Sequence, residues 1–314
     1  MGEKKGDQKV NIGIIGVGGV GGYFGGKLAQ AFQGDDRYNI YFIARGTHLA
    51  KIKEQGLILK THQEGELRCI PTLATEEISQ LPPLDICLIC VKSYDLQQVL
   101  LALKPKLKAT CHILPLLNGV DIYDRIRKVV FQGNVYPACV YVGTHILEPG
   151  VIEQTGGTCK IILGKDPQKE DEATLLKEVL KKANITFEWT KEYWEEIWSK
   201  YMFIASYGLI TTIYNKTIGG VYKDPELSEQ VKYLMQYIKE LALLEGIHLK
   251  ETSIEESYHK ASTFPYETKT SFQRDYEKGT GRDEREIFGA TLLRLGKKHG
   301  LSVVGIEKIY NQLV

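Results

Sequence analysis

The sequence has almost no excess of charge of either sign. Its 314 residues include 40 basic and 39 acidic side chains, so the formal net charge is +1 at pH 7. Proteins that coat nucleic acid, or that anchor to a membrane through a polybasic segment, carry a strong basic excess. We therefore expect no nucleic-acid partner and no membrane anchor, although a small local basic pocket is compatible with this balance.

The sequence also lacks an apolar run long enough to cross a bilayer. The longest uncharged stretch of interest, Tyr201 to Tyr214, falls short of the roughly 20 residues that a membrane span needs. It predicts a helix buried inside protein. Residues 1–9, MGEKKGDQK, are polar and predict a frayed tail rather than a signal peptide. These features predict a cytoplasmic protein.

The cysteines follow neither a disulfide framework nor a metal-binding pattern, and a cytoplasmic protein keeps its thiols reduced. Cys87 and Cys90 have the spacing of a redox or metal motif. However, they lie within the apolar run from Ile86 to Val91, with no second such pair in the sequence. We interpret them as buried strand residues and predict no metal site. The six cysteines are Cys69, Cys87, Cys90, Cys111, Cys139 and Cys159.

The first part of the chain alternates short apolar runs with amphipathic stretches. This rhythm, with strands that are apolar on both faces, predicts an α/β fold in which helices cover a parallel sheet. The predicted strands cover residues 10–15, 38–44, 85–91, 112–117, 135–144 and 160–163, and the predicted helices cover 22–32 and 96–107.

The second part is helical nearly throughout. From about Glu192, apolar residues recur at the i, i+3, i+4 spacing of a helix, as in Trp194, Ile197, Trp198 and Tyr201. A length of 314 residues predicts about two domains. We therefore predict an α/β domain over residues 1–189 and an all-helical domain over residues 190–314.

A glycine-rich turn follows the first predicted strand and precedes a helix. Its residues are Gly16-Val17-Gly18-Gly19-Val20-Gly21, a GxGxxG motif in the context that dinucleotide binding requires. The first glycine permits a tight turn, the second admits the pyrophosphate and the third lets helix and strand pack closely. The helix N-terminus would then bind the phosphates. The alternative is a glycine-rich loop without a ligand. Its weakness is that so many glycines cost conformational entropy on folding, and without a ligand nothing explains that cost.

The end of the second predicted strand bears on the choice of dinucleotide. An NAD-binding chain places an acidic residue there for the ribose 2′-hydroxyl, whereas this sequence has Ile43-Ala44-Arg45-Gly46. A guanidinium can pair with a 2′-phosphate through two charge-assisted hydrogen bonds. Arg45 therefore predicts a preference for NADPH, unless it is only a solvated loop residue.

Two polar residues follow later strands of the predicted sheet. Lys92 comes after the strand that ends at Val91, and Asn118 comes after the strand that ends at Leu117. Ligands of open parallel sheets bind beyond the carboxyl ends of the strands. Both residues are candidates for contact with cofactor or substrate, and the alternative is an ordinary helix cap or loop position.

Two charged residues of the helical part are candidates for chemistry. Lys200 begins the most enclosed part of a helix, where loss of hydration lowers a lysine pKa toward the range useful for proton transfer. The alternative, which the sequence favours equally, is that Lys200 only covers apolar surface with its aliphatic stem and keeps its ammonium group in water. Glu284 precedes Ile287 and Phe288, and the residues alone do not separate it from Glu286. Composition alone favours the alternative that Glu284 is a solvated charge on the first turn of a helix.

These motifs together resemble those of the ketopantoate reductase (2-dehydropantoate 2-reductase) family, in the family's order and over nearly the full chain. The resemblance implies a Rossmann-type domain joined to a helical domain similar to the C-terminal domain of 6-phosphogluconate dehydrogenases, with the active site between them. The motifs are Gly16–Gly21, Ala44-Arg45-Gly46, Val91-Lys92-Ser93, Leu117-Asn118-Gly119-Val120, Pro149-Gly150-Val151-Ile152, Trp198-Ser199-Lys200, and Thr270–Asp275 ahead of Glu284.

The resemblance also implies an activity: reduction of 2-dehydropantoate to pantoate by NADPH, a step toward pantothenate and coenzyme A. Lys200 matches the family's proton donor. Glu284 matches a glutamate that contacts the ligand or orients the lysine, since it lies 15 residues before His299 as in the family.

Four further residues match ligand contacts of the family. Asn118 matches an asparagine that touches both cofactor and substrate, and Ser271 matches a serine that holds the substrate carboxylate. Arg45 and Lys92 match contacts to NADPH. The implied partner is a small 2-oxo acid, and both a monomer and a homodimer through the helical domain are compatible with the sequence.

The chain departs from the family in two regions. Members commonly carry asparagines one and two helical turns after the lysine for substrate binding, and Ile204 and Gly208 stand there in this sequence. Arg285-Glu286 also replaces the usual Ile-Asp after the glutamate. Two alternatives therefore stay open: an NADPH-dependent reductase of another 2-oxo acid, and a non-catalytic NADPH-binding sensor, against which Lys200 and Glu284 argue.

Overall fold

The computed structural model describes residues 9–313, so the predicted frayed tail lies outside the described residues except for Lys9. The chain forms two compact units. The first contains the chain up to Leu117 together with Ile122–Tyr193, and the second contains Asn118–Asp121 together with the chain from Trp194. The predicted boundary at 189/190 lies four residues before the observed one, and no pattern in the sequence indicates that residues 118–121 belong to the second unit.

The first unit contains eleven strands and five α-helices among the described residues. The strands are β1 (Val10–Ile15), β2 (Tyr38–Ile43), β3 (Leu57–Thr61), β4 (Gly65–Cys69), β5 (Leu73–Thr75), β6 (Leu84–Ile89), β7 (Leu107–Pro115), β8 (Asn134–Val135), β9 (Ala138–Glu148), β10 (Val151–Leu163) and β11 (Thr186–Trp189). The helices are α1 (Gly19–Ala31), α2 (Gly46–Gln55), α3 (Ser93–Leu103), α4 (Ile122–Arg127) and α5 (Thr174–Lys182).

Six strands form the predicted parallel sheet, in the order β5-β2-β1-β6-β7-β8. All of its neighbouring strands run parallel. The inner strands are apolar on both faces because helices cover the sheet, and Ile12, Ile14, Ile86 and Leu88 are fully buried. The Rossmann-type architecture is therefore confirmed. The order places the end of β1 between the ends of β2 and β6.

A second, mixed sheet was not predicted. It has the order β11-β10-β3-β4, and β9 pairs antiparallel with β10 as a long hairpin. Placing residues 135–144 and 160–163 in the parallel sheet was wrong, because only the two residues of β8 pair with β7. Pro137 has no N–H to donate, and β9 begins directly after it in the other sheet.

The cysteines of the apolar run lie at the centre of the parallel sheet. Cys87 is fully buried within β6, as predicted, and Cys90 follows the end of that strand. Burial raises the pKa of Cys87 well above its usual range, so its thiol is inert. Among residues 9–313, no group of three or more His, Cys, Asp or Glu side chains is placed to hold a metal ion.

A buried polar cluster surrounds His112 of the neighbouring strand β7. The Nδ1 atom of His112 is 2.7 Å from the hydroxyl of Tyr136 and 3.4 Å from Oδ2 of Asp171. Tyr136 in turn donates to Asp171. Burial lowers the pKa of His112, and the nearby carboxylates of Asp171 and Asp85 oppose that effect only in part.

This cluster predicts a loss of stability in mild acid. The unfolded chain takes up a proton on His112 near pH 6.5, whereas the folded chain does so only at lower pH, so the free energy of unfolding should fall as pH drops from about 7 to about 5. Urea unfolding at a series of pH values measures the slope. His112→Gln, which cannot titrate, should have a flatter profile. Equal slopes for both proteins would contradict the assignment.

The second unit is helical among its described residues. Its helices are α6 (Tyr193–Ile213, which starts at the boundary), α7 (Ile218–Lys223), α8 (Pro225–Leu244), α9 (Ser253–His259), α10 (Ser271–Glu277), α11 (Thr291–His299) and α12 (Val304–Tyr310), with a π-helical turn at Glu286–Ala290. The predicted buried helix is confirmed as the C-terminal part of α6, where Tyr201, Met202 and Ala205 are almost fully buried. An all-round apolar helix belongs in a protein core. In the described part of the chain, none of the helices has the length and apolar character of a membrane span.

Candidate functional site

The glycine-rich turn joins β1 to α1, as predicted, although α1 begins three residues earlier than the predicted helix. Gly16 has φ = +95°, a left-handed conformation that favours glycine. The backbone N–H groups of Gly16 and Val17 donate to the carbonyl of Ile43 at 3.0 and 3.1 Å, which ties the turn to the end of β2. The tight turn therefore depends on the first glycine of the motif.

The other motif glycines differ in the space around them. A Cβ atom at Gly21 would lie 2.0 Å from the carbonyl oxygen of Gly16, so close packing excludes any side chain there. A Cβ atom at Gly18 would meet nothing within 4 Å. The first turn of α1 carries no acidic residue, and the N–H groups of Gly19–Gly21 precede Gly22, the first residue whose N–H donates within the helix end. The open space at Gly18 and these N–H groups fit a dinucleotide pyrophosphate.

Arg45 lies directly before α2, past the end of β2, as the sequence predicted. Its Nη2 atom donates to Oδ2 of Asp95 at 2.8 Å. Asp95 belongs to the first turn of α3, which follows β6. Sequence reasoning considered only the end of β2 and missed this acidic partner, although its position three residues after Lys92 was a usable signal.

Lys92 lies at the start of α3, at the same edge of the sheet. It is half-buried, with an extended backbone at the N-cap position. Because β2, β1 and β6 are neighbours, the structure brings Arg45, the glycine-rich turn and Lys92 to adjacent strand ends. This edge is where ligands of open α/β sheets bind.

In the second unit, Lys200 contacts Asn118. The Nζ atom of Lys200 donates to Oδ1 of Asn118 at 2.8 Å, although the two residues are 82 positions apart. Both side chains are half-buried. The sequence predicted each as a site residue but did not predict their contact. The amide oxygen fixes the direction of an ammonium group that could donate a proton to a substrate.

Glu284 and Glu286 have different surroundings. Glu284 is only 2% exposed, whereas Glu286 is exposed. The intervening Arg285 pairs with Asp283 and donates to the carbonyl of Leu313, so it is engaged in local structure. Burial therefore favours Glu284 over Glu286 as the acid with a specific role.

Tyr201 links the helix of Lys200 to the segment of Glu284. Its hydroxyl donates to the carbonyl of Ile287 at 2.7 Å, within the π-helical turn that follows Glu284. Such turns leave a carbonyl without its ordinary helical donor and are frequent at functional sites. Sequence analysis missed this residue. Its signal was a hydroxyl next to Lys200 at the start of an otherwise apolar run.

Ser271 is exposed at the first position of α10. The hydroxyl oxygen of the preceding Thr270 accepts from the backbone N–H of Gln273 at 3.2 Å and lies 3.1 Å from the hydroxyl of Thr211. Thr270 thus holds the start of this helix. Contact between Ser271 and a substrate carboxylate stays a prediction.

Two residues that depart from the family pattern share a helix face with Lys200, at spacings of four and eight. Ile204 is half-buried in a stretch of α6 that is otherwise buried. A Cβ atom at Gly208 would lie 3.6 Å from Phe272 and 3.9 Å from Phe288. The helix face beyond Lys200 is therefore apolar and borders aromatic rings.

Both parts of the chain match family models. Residues 12–168 match the model described as "Ketopantoate reductase PanE/ApbA", and residues 192–314 match "Ketopantoate reductase PanE/ApbA C terminal". Together these matches cover most of the chain, including every predicted site residue.

Individual proteins are similar over almost their full length. The uncharacterized oxidoreductase YkpB of Bacillus subtilis (strain 168) is 25% identical over 96% of each chain. The 2-dehydropantoate 2-reductase of Aquifex aeolicus (strain VF5) is 23% identical over 92% of this chain and 91% of that protein.

Solved structures share the fold. A PanE/ApbA family ketopantoate reductase from Ralstonia eutropha JMP134 superposes with a TM-score of 0.86 at 26% identity, over 97% of each chain. D-mandelate dehydrogenase, solved with NADH and anilino(oxo)acetate, superposes with a TM-score of 0.82 at 23% identity, again over 97% of each chain.

Proposed function

This chain belongs to the ketopantoate reductase family, and from that premise we propose that it reduces 2-dehydropantoate to pantoate with NADPH. The contact between Lys200 and Asn118 carries the proposal, because it pairs an ammonium group with an amide at the two positions that match the family's proton donor and ligand-binding asparagine. The proposal retains the predicted cytoplasmic location and the place before pantothenate and coenzyme A.

The chain's own residues would bind the cofactor at the sheet edge of the first unit. The N–H groups at the start of α1 would hold the pyrophosphate over Gly18, where there is open space. Arg45 and Lys92 would supply positive charge to the adenosine phosphates. When bound, the nicotinamide supplies the hydride for the ketone carbon.

The second unit would supply the proton. Lys200 protonates the oxygen of the developing alkoxide, and Asn118 holds the ammonium group in the direction that the transfer requires. A positioned donor also stabilises the negative charge that builds up on that oxygen. Glu284 would contact the ligand or orient Lys200, as the family resemblance implies.

The apolar helix face beyond Lys200 favours a second candidate: a reductase of another 2-oxo acid. Ile204 and Gly208 offer no hydrogen-bonding side chain to a substrate hydroxyl, and Gly208 borders Phe272 and Phe288. A substrate hydroxyl buried without a partner is unfavourable. D-mandelate dehydrogenase, which shares the fold, is named for an acid with an aromatic group.

A small panel of acceptors tests these alternatives. The assay follows NADPH oxidation with 2-dehydropantoate and with 3,3-dimethyl-2-oxobutanoate, which differs only by lacking the terminal hydroxyl. Phenylglyoxylate represents aromatic acids. The highest kcat/KM with 2-dehydropantoate supports the first candidate. A preference for either apolar acid supports the second, and Ile204→Asn should then shift the ratio toward 2-dehydropantoate.

Two other outcomes contradict the proposal. Tight binding of NADPH without turnover of any acid would identify a non-catalytic sensor. Equal kcat/KM for NADH and NADPH in the wild-type enzyme would contradict the cofactor preference inferred from Arg45 and leave the reductase assignment standing.

A further inference from the structure

We infer that Asp95 sets the cofactor preference of this chain by competing with the 2′-phosphate of NADPH for Arg45. The inference rests on the proposed dinucleotide site. Arg45 is the residue expected to receive that phosphate, and in the structure its Nη2 atom already donates to Oδ2 of Asp95 at 2.8 Å. A phosphate that uses the same guanidinium donors must displace the carboxylate.

The sheet topology places this ion pair across the dinucleotide site. Arg45 follows β2, Asp95 belongs to the helix after β6, and β1 lies between those two strands. The pair therefore bridges the carboxyl end of β1, from which the glycine-rich turn begins. In this fold the cofactor binds outside the carboxyl ends of the strands, at that turn.

The two partners are not equally free to move. The side chain of Asp95 is only 13% exposed, whereas that of Arg45 is 70% exposed. Asp95 also lies in the first turn of α3, where the helix dipole stabilises a carboxylate. Asp95 is thus the fixed partner, and Arg45 is the side chain that swings between carboxylate and phosphate.

A carboxylate at this position acts on the two cofactors in opposite directions. It holds the guanidinium that NADPH needs, and its negative charge repels a 2′-phosphate. NADH carries a ribose 2′-hydroxyl instead, and this hydroxyl can donate a hydrogen bond to a carboxylate. Asp95 therefore weakens the binding of NADPH but not that of NADH. The preference for NADPH that Arg45 provides is smaller than it would be without Asp95.

The test measures binding rather than turnover. Fluorescence titration gives Kd for NADPH and NADH, and calorimetry gives Kd for adenosine 2′,5′-bisphosphate and adenosine 5′-monophosphate, which isolate the 2′-phosphate. Asp95→Asn removes the charge with almost no change of shape. It should tighten binding of NADPH and of the bisphosphate about 1.5- to 5-fold, the range for one exposed charge pair. Binding of NADH and the monophosphate should be unchanged or weaker.

Two further variants isolate the competition. In an Arg45→Ala background, Asp95→Asn should have a smaller effect on NADPH binding, because no guanidinium remains to be released. Asp35→Asn is the matched control. Asp35 pairs with the exposed Arg37 at the other end of β2, so its loss opens a similar ion pair away from this edge and should leave every Kd unchanged.

The outcomes separate this inference from the proposed function. Unchanged or weaker NADPH binding in Asp95→Asn overturns the inference alone, as does equal tightening of both cofactors. A wild-type chain that binds neither cofactor overturns the dinucleotide site and this inference with it.

Discussion

Lys200→Ala should lower kcat about 10²- to 10⁴-fold, the usual contribution of a positioned general acid, with little change in the Kd for NADPH. The loss is specific to the chemical step because Lys200 belongs to the second unit, whereas the glycine-rich turn, Arg45 and Lys92 belong to the first. A smaller loss is expected for Asn118→Leu, which keeps the ammonium group but removes the amide oxygen 2.8 Å from it.

Steady-state kinetics with the best acceptor of the panel and a cofactor titration measure both quantities. Lys216→Ala is the control, since Lys216 is an exposed lysine just after the end of the same helix and should tolerate the change. Unaffected turnover in Lys200→Ala would remove this lysine from the proton-donor role. A parallel loss of NADPH binding would assign it to cofactor binding instead.

Two alanine substitutions in the glycine-rich turn should separate folding from cofactor binding. Gly18→Ala places a methyl group in open space, so the fold should keep its melting temperature while the Kd for NADPH rises on the order of tenfold or more. Gly21→Ala places the methyl group 2.0 Å from the carbonyl oxygen of Gly16, so the backbone must shift. Overpacking of this kind destabilises a fold by about 1–3 kcal/mol or more.

Thermal unfolding and NADPH titration of both variants make the comparison. Gly21→Ala should melt several degrees below the wild type, at roughly 2–4 °C per kcal/mol for a domain of about 150–250 residues such as the first unit. Gly18→Ala should show the reverse pattern, with weak binding and an unchanged transition. Normal NADPH affinity in Gly18→Ala would mean that the pyrophosphate does not use the space beside this residue.

Local patterns in the sequence were sufficient for the turn and for four strands of the parallel sheet, β2, β1, β6 and β7, but not for its edge strand β5. The run from Val10 to Ile15 and the glycines after it carry both the strand and the conformational requirement of the turn, so β1 was predicted to the residue. The resemblance to the ketopantoate reductase family is likewise confirmed by the family models over both parts of the chain. The roles of Lys200, Glu284, Asn118 and Ser271 stay predictions.

Features that depend on distant parts of the chain could not be predicted in this way. The hydroxyl of Tyr201 and the carbonyl of Ile287 are 86 positions apart, and nothing in either local pattern indicates their hydrogen bond. The same holds for Asp95 and Arg45, which follow strands on either side of β1 and meet only in the folded sheet. The mixed sheet was not predicted for two reasons. Its strands β3, β4 and β11 are short, and the apolar runs of the β9–β10 hairpin have the same pattern as strands of the parallel sheet.

The short segment Asn118–Asp121 has a practical consequence for protein engineering. A gene fragment that starts at Tyr193 would encode every described helix of the second unit yet omit two of that unit's internal partners. Lys200 would lose the oxygen atom of Asn118, and Arg294 would lose the carboxylate of Asp121. Excising the second unit as one continuous piece therefore yields an incomplete product, and a stand-alone version requires those four residues to be grafted back.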